Sequence, residues 1–273
     1  MTITTQEFAP AKINLTLHVT GQRSDGYHML DSLVVFADVG DALQVQLGAP
    51  SLCVVGPFAQ GVPTGPENSI LKAAQLLGIE GKFQLTKNLP HPAGIGGGSA
   101  DAAAAVRALC RLTSKPLPAP ASLLPLGADM PVCLSSCPQR MTSIGEDVAP
   151  VAPLHPMWVV LVNPGIPTAT GPIFNALPTK DNLPMGPLPR FASIDDQLAW
   201  LREQRNDLQS PAQTLCPVID EVLGAITATD AGLVRMSGSG ATCFGLYSSE
   251  TAANTAAARL RRPNWWTRAA KLL

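Results

Sequence analysis

Ten residues, Pro92-Ala93-Gly94-Ile95-Gly96-Gly97-Gly98-Ser99-Ala100-Asp101, run straight into an alanine-rich segment that closes on Arg107 and Arg111. Alanine propensity, an acid near the start and arginines near the end suit a helix over 99–111. Glycines before it let the backbone adopt positive φ and approach a ligand closely, while the free amides of the first helical turn point at whatever sits there. A phosphate is the natural occupant, and the bland alternative is a flexible linker. Two familiar phosphate motifs fail here. A Walker A loop ends in Gly-Lys-Ser/Thr, whereas this one ends Gly98-Ser99-Ala100; a dinucleotide fingerprint begun at Gly94 would put its third glycine at Ser99 and lacks the preceding strand.

Three further segments carry polar residues in unusual company. Met236-Ser237-Gly238-Ser239-Gly240-Ala241-Thr242 is a second glycine cluster, which taken alone reads as a hairpin turn. In Gly127-Ala128-Asp129-Met130-Pro131 an acid stands between a flexible residue and a proline; alone it reads as a cap or surface group. Apolar residues alternate from Ile13 to Val19, so a strand there places Lys12, Asn14, Thr16 and His18 on one side. Lys12 taken alone is a solvated strand-end lysine.

The rest of the chain gives an order of elements. Turn residues Ser24 to His28 follow the first strand, and an apolar run over 30–36 and an alternating run from Asp41 suggest two more strands. A helix runs from an N-cap at Asn68 to Leu77, stopped by Gly78, and a short strand covers 83–86. Proline and glycine thicken between Pro150 and Pro189 around a strand at 158–162, which marks a domain boundary or an extended substrate-side loop. A helix over 211–226, a glycine-containing hairpin over 236–247 and a helix over 250–260 complete the order. Strands and helices group separately, which argues for α+β over a doubly wound sheet. No internal repeat is visible.

With 46% hydrophobic and 14% charged residues in 273, the composition is that of a globular enzyme with a sizeable core. A net charge of −1 gives no broad attraction to nucleic acid or membrane, so an anionic ligand must be held by local devices. Met1 to Lys12 shows no cationic stretch followed by an apolar run, and the apolar strip 157–162 is too short to cross a bilayer; a cytoplasmic protein is expected. That also makes the glycosylation sequon Asn14-Leu15-Thr16 idle. Six scattered cysteines lack zinc-site spacing and read as small core hydrophobes.

Taken together, Pro10-Ala11-Lys12-Ile13-Asn14-Leu15, Gly21-Gln22-Arg23-Ser24-Asp25-Gly26-Tyr27-His28, the two glycine clusters and Gly127 to Pro131 resemble the GHMP kinases, with galactokinase, homoserine kinase and mevalonate kinase among them. Within that family they are most similar to the branch that acts on a cytidine-diphosphate-linked methylerythritol. The resemblance spans about 10–247. It implies a two-domain α+β fold, an ATP-binding N-terminal domain over 1–150 and a second domain over 151–273, with the catalytic cleft between them. By resemblance Pro92, Ala93, Gly94, Ile95, Gly96, Gly97, Gly98, Ser99, Ala100 and Asp101 wrap the ATP phosphates, and Ser237, Gly238, Ser239 and Gly240 shape the same site. Asp129 is then the base that accepts the hydroxyl proton, with Lys12 beside it. Asn14 hydrogen-bonds the methylerythritol part or Asp129, Tyr27 and His28 hold cytosine against Phe174, and Thr170, Asp25 and Gly26 lie close by.

Ala100 departs from the family, which often has a second serine there, and so leaves Ser99 as the hydroxyl near the phosphates. His91-Pro92 and the Pro-rich passage after Arg111 point to altered loops around adenine, with Lys87 to Pro90 as contributors. Mg²⁺ is implied by ATP, although no acid identifies itself as its ligand. The implied partner is a small cytidine-diphosphate-linked molecule, with no nucleic acid and no membrane; the oligomeric state is open between monomer and weak homodimer. Another GHMP kinase, of homoserine or mevalonate type, would have no need of Tyr27 and His28. A non-catalytic nucleotide sensor would have no need of Lys12 with Asp129, and a purely structural protein leaves the glycine loops unexplained.

Overall fold

The computed structural model describes residues 4–273, so Met1 to Ile3 of the stretch read for a leader lie outside the described residues. Strands β1 (Thr4–Asn14), β2 (His18–Gln22), β3 (His28–Leu47), β4 (Ser51–Val55), β5 (Gly81–Thr86), β6 (Gln139–Ser143) and β7 (Asp147–Pro150) form one mixed sheet. β3 is its spine, pairing antiparallel with β1, β2, β5 and β6, while β4 joins β5 in parallel. Helices α1 (Ser69–Leu77) and α2 (Gly97–Leu112) accompany it, followed by a 3₁₀ stretch, Pro120–Leu126, and the single turn α3 (Met130–Cys133). The second sheet has the order β11-β8-β10-β9, built from β8 (Trp158–Asn163), β9 (Leu233–Met236), β10 (Cys243–Tyr247) and β11 (Trp266–Lys271). With it go α4 (Thr170–Asn175), α5 (Ile194–Glu203), α6 (Gln209–Leu215), α7 (Val218–Thr227) and α8 (Glu250–Arg259). No helix of the described residues is long and apolar enough to cross a membrane.

Local signals account for several ends. Asn68 caps α1 by accepting from the amide of Ile70, and Gly78 closes it in the left-handed region at φ 62°. α2 is buried almost all round by alanines, whose small side chains let it lie close to the sheet. At its far end Arg107 bonds Glu7 of β1 at 2.9 Å, and Arg111 reaches the same carboxylate.

Three expectations need correcting. The strand read over 13–19 breaks at Leu15–Thr16, where the Thr16 hydroxyl and carbonyl pair with Leu33 and Ser32 of β3. The runs at 30–36 and from Asp41 are one 20-residue strand, because β1 pairs with it on both sides of the gap, at Val34–Phe36 and again from Gly40 to Gln46, through a register shift between Pro10 and Lys12. The helix read over 211–226 is two, since Pro217 cannot continue the ladder of α6. Of the cysteines, Cys110, Cys133 and Cys243 are buried as expected, but Cys53 and Cys137 are exposed and Cys216 is half-buried.

Apolar packing is continuous between the sheets. One cluster joins Ala11, Ile13, Leu33 and Val35 of the first sheet to Val159, Leu161, Leu233 and Phe244 of the second. Residue Leu17 bridges to Asn206, and Ala37 to Leu272, at the same junction.

Candidate active site

A cleft of about 500 Å³ opens where the ends of β1, α2, α3 and the β9–β10 turn meet. β1 delivers Lys12 after a register shift between Pro10 and Lys12, so the lysine leaves the regular alternation and enters the cleft. Its main-chain amide donates to the carbonyl of Ile95 at 2.9 Å, which ties β1 to the glycine loop. Asp129 reaches the cleft from the other side as the residue that opens α3. Its turn fits only because Gly145 lies against it: a Cβ there would sit 2.2 Å from the Ala128 carbonyl oxygen.

Lys12 Nζ stands 3.0 Å from both Asp129 carboxylate oxygens and donates to Asn14 Oδ1 at 2.8 Å. Asn14 Nδ2 donates in turn to Ser32 Oγ at 2.8 Å. The ammonium is 4% exposed and the carboxylate 31%, so the acid is the member open to a ligand.

The glycine loop borders this pair directly. A Cβ on Gly96 (φ +63°) would lie 3.0 Å from Lys12 Cβ and 3.7 Å from Asp129 Oδ2. α2 has no side-chain cap, so the amides of its first turn are offered to the cleft that Gly97, Gly98 and Ser99 line. The second glycine cluster packs on the first, backbone to backbone. A Cβ on Gly94 would sit 2.6 Å from the carbonyl oxygens of Ser237 and Gly240, and one on Gly238 would sit 2.8 Å from that of Gly94. Ser237 Oγ accepts from the Asn14 amide at 3.1 Å and donates to the Gly94 carbonyl at 3.0 Å. Thr170 Oγ1 and Ser239 Oγ lie 2.9 Å apart on the cleft wall.

Not every residue of the two clusters faces the cleft. Pro92, Ala93, Gly94, Gly238 and Ser239 line it, but the side chains of Ile95, Ala100 and Asp101 are buried behind the loop, and Ser237 and Gly240 lie beneath it. Asp101 instead pairs with Lys87, at 2.6 Å, so Lys87 is a buried ion-pair partner with no side-chain reach to an adenine outside.

At the far end Phe174 lines the cleft and His28 stacks on it, ring centroids 4.6 Å apart at 29°. Burial, and then the charge of Lys180, lower the His28 imidazole below its ordinary value, and its buried Nε2 has no partner. Tyr27 is 59% exposed in the turn, with Gly26 at φ +90° and Asp25 paired to Arg23 at 2.8 Å. The aromatic face opposite Phe174 is thus occupied by His28, with Tyr27 outside it.

Several supporting residues escaped sequence reading. Asn206 Nδ2 donates to the carbonyls of Met236 and Gly238, holding the second glycine turn. Asp207 accepts from the amide of Val19 at 2.7 Å and from Arg205 Nε at 2.6 Å. Arg205-Asn206-Asp207, three hydrogen-bonding side chains in a row between two helices, was the available signal.

Comparison with known proteins places this arrangement. Residues 68–139 match the model of the GHMP kinases N terminal domain, and residues 188–264 that of GHMP kinases C terminal. The 4-diphosphocytidyl-2-C-methyl-D-erythritol kinase of Cereibacter sphaeroides is 51% identical over 98% of this chain and 99% of its own length; that of Dinoroseobacter shibae is 55% identical over 95% and 92%. A crystal structure of 4-(cytidine 5'-diphospho)-2C-methyl-D-erythritol kinase superposes with a TM-score of 0.79 at 32% identity, covering 98% of this chain and 99% of that one. Homoserine kinase from Cytophaga hutchinsonii, at 18% identity and a TM-score of 0.66 over 99% and 94%, shares the fold. The chain belongs to the GHMP kinases, in the group of the 4-diphosphocytidyl-2-C-methyl-D-erythritol kinases.

Proposed function

We propose that this protein transfers the γ-phosphoryl group of ATP to the 2-hydroxyl of 4-diphosphocytidyl-2-C-methyl-D-erythritol, giving the 2-phosphate and ADP. In this reading residues 1–150 supply the ATP side and residues 151–273 complete the cleft. The observation that carries it is the Lys12–Asp129 pair set directly under an uncapped, glycine-opened helix. Phosphoryl transfer asks for little covalent chemistry and much positioning of charge. Amides of residues 97–99 take the transferring phosphates. The Asp129 carboxylate accepts the proton of the attacking hydroxyl, and the Lys12 ammonium, 3.0 Å away, stabilises the alkoxide as it forms. Asn14 fixes Lys12 through its 2.8 Å bond and so sets where that charge sits.

Cytosine is assigned to the Phe174–His28–Tyr27 end. The unpartnered His28 Nε2 can hydrogen-bond the base, and Tyr27 is free to fold over it. Mg²⁺ accompanies ATP and neutralises its phosphates. Among the described residues no group of three or more His, Cys, Asp or Glu could hold a metal ion; the ion would be held through the ATP phosphates with at most one or two carboxylates. ATP and a cytidine diphosphate ester are both cytoplasmic metabolites, which fits a cytoplasmic enzyme.

The test is ADP release by purified protein with MgATP, comparing the cytidine-linked methylerythritol with methylerythritol phosphate, homoserine and mevalonate. Turnover confined to the cytidine-linked acceptor is expected. Turnover on another alcohol would keep the kinase and overturn the acceptor.

A further inference from the structure

Behind the glycine loop three ionisable side chains are buried together, and none lines the cleft. Lys87, just past β5, is 2% exposed; its Nζ lies 2.5 Å from Asp41 Oδ2 on β3 and 2.6 Å from Asp101 Oδ2 on α2. Asp41 Oδ1 also accepts from the amides of Asn88, at 2.5 Å, and Leu89, at 2.9 Å. Asp101 Oδ1 is buried with no partner. A Cβ on Gly97 would sit 3.1 Å from Lys87 Nζ, so the ammonium is seated against the first residue of α2.

Stability alone does not explain the group. Burying ions costs several kcal/mol each, and apolar replacements of similar volume often serve as well. Its placement has another consequence. The first turn of α2 opens on Gly97 and Gly98 and lacks a side-chain cap; Ser69 Oγ donates to the Gly98 carbonyl at 2.9 Å, but no capping side chain fixes the direction of its amides. Lys87 lies against Gly97 of that turn and pairs with Asp101 just after it, which joins the start of α2 to Asp41 of β3 and to the end of β5, and small misplacements of a binding group are costly in catalysis.

We infer that Lys87, with Asp41 and Asp101, is a positioning clamp that fixes the first turn of α2, and with it the phosphate-facing amides, against the sheet. The Lys87 side chain is buried and lines no part of the cleft. The inference rests on the reading of residues 94–99 as the ATP phosphate site, and it adds that the clamp acts on phosphate recognition and not on adenosine or the acceptor.

Steady-state kinetics with both substrates, together with direct titration of ATP and of adenosine, test it. The variants are Lys87→Met and Lys87→Met/Asp101→Asn; the second also removes the carboxyl that Lys87→Met would leave buried without its partner, and serves where the first does not fold. At least a tenfold rise in KM and Kd for ATP is expected, with acceptor KM and adenosine Kd within twofold of the parent. Unchanged ATP constants in a folded variant overturn the clamp, as does a parallel loss for ATP, adenosine and acceptor with a lowered Tm. Gly98→Leu separates the two levels, because a Cβ there has room, its nearest neighbour being Ser69 Oγ at 3.8 Å. If Gly98→Leu leaves ATP binding intact, the phosphate-site reading itself fails and the clamp with it. If Gly98→Leu weakens ATP while the Lys87 variants do not, the clamp alone fails.

Discussion

Asp129 and Lys12 are 117 positions apart, yet their chemistry is legible because each stands in a short segment of odd composition. The pair gives a sharp expectation. Asp129→Asn keeps the shape and most of the hydrogen bonding while removing the base, so both substrates should still bind with Kd near the parent's. Turnover should fall by about 10²- to 10⁴-fold, the usual worth of a positioned base. Single-turnover kinetics with separate binding titrations check it, and near-parent turnover would remove Asp129 from the mechanism. Tyr27 makes a different prediction, since at 59% exposure it supports no core. Tyr27→Ala should leave Tm unchanged and weaken acceptor binding by about 1–3 kcal/mol, the range for a base stacked on an aromatic ring. An unchanged acceptor KM would leave the base to Phe174 and His28. Ser32 and Gly145 were not legible at this scale. Their parts depend on which distant carbonyl or hydroxyl the fold brings near, and nothing in their own neighbourhoods encodes that.

At the scale of elements, most of what was readable in the sequence had a local cap or period to set its boundary. α1 begins at Asn68 and stops at Gly78, and α8 begins beside Ser249, whose hydroxyl accepts from Ala252. β6 was invisible, because Gln139-Arg140-Met141-Thr142-Ser143 has one large apolar residue and becomes a strand only by pairing with β3. α5 was missed despite its signal, a Ser193 N-cap followed by Asp195 and Asp196 in the first turn. α2 was read two residues late at its start and one short at its end, and its Asp101 was misplaced, since helical propensity does not reveal which side of a helix faces the sheet. That burial has a measurable result. Desolvation pushes the Asp101 carboxyl up to about 7, with Asp41 adding to the rise and Lys87 opposing it. A raised carboxyl means that the folded state holds the proton more tightly than the unfolded one. Its stabilising contribution is full below about 3.9 and is lost as pH climbs through about 7. Relative to wild type, Asp101→Asn should therefore gain stability between pH 5 and pH 8, by at most about 1.4 kcal/mol per pH unit. Urea titrations at the two pH values check it, and a difference that stays constant or shrinks would mean that Asp101 is ionised throughout.

For the molecule as a whole, the question is whether two sheets behave as one body. The cleft needs them to, because Gly94 lies in the loop that follows β5 and Ser237 in the β9–β10 turn, and their backbones touch with no room for a Cβ. A shared apolar cluster supplies most of that union, which alternation in a single segment could never show: Ile13 and Phe244 are both apolar strand residues, but only the fold makes them neighbours. Arg235 supplies a polar part. It is 6% exposed, meets no carboxylate, and donates to the carbonyls of Leu15 at 2.6 Å, Leu201 at 2.8 Å and Gln204 at 2.6 Å. Burial alone lowers its guanidinium to about 10, so it stays charged at neutral pH. The bend after β1, the end of α5 and β9 are thus pinned at one point. Arg235→Met fills much of the same space and strands three acceptors, each of which costs about 1–3 kcal/mol when buried without a donor. A loss of several kcal/mol is expected, read as a lower urea midpoint. Because the apolar cluster is untouched, the variant should still unfold in a single transition seen alike by tryptophan fluorescence and far-ultraviolet circular dichroism. Trp158, Trp200, Trp265 and Trp266 all report from the second half of the chain, so two halves that melted separately would pull those two signals apart and show that Arg235, not the shared core, is what makes them one.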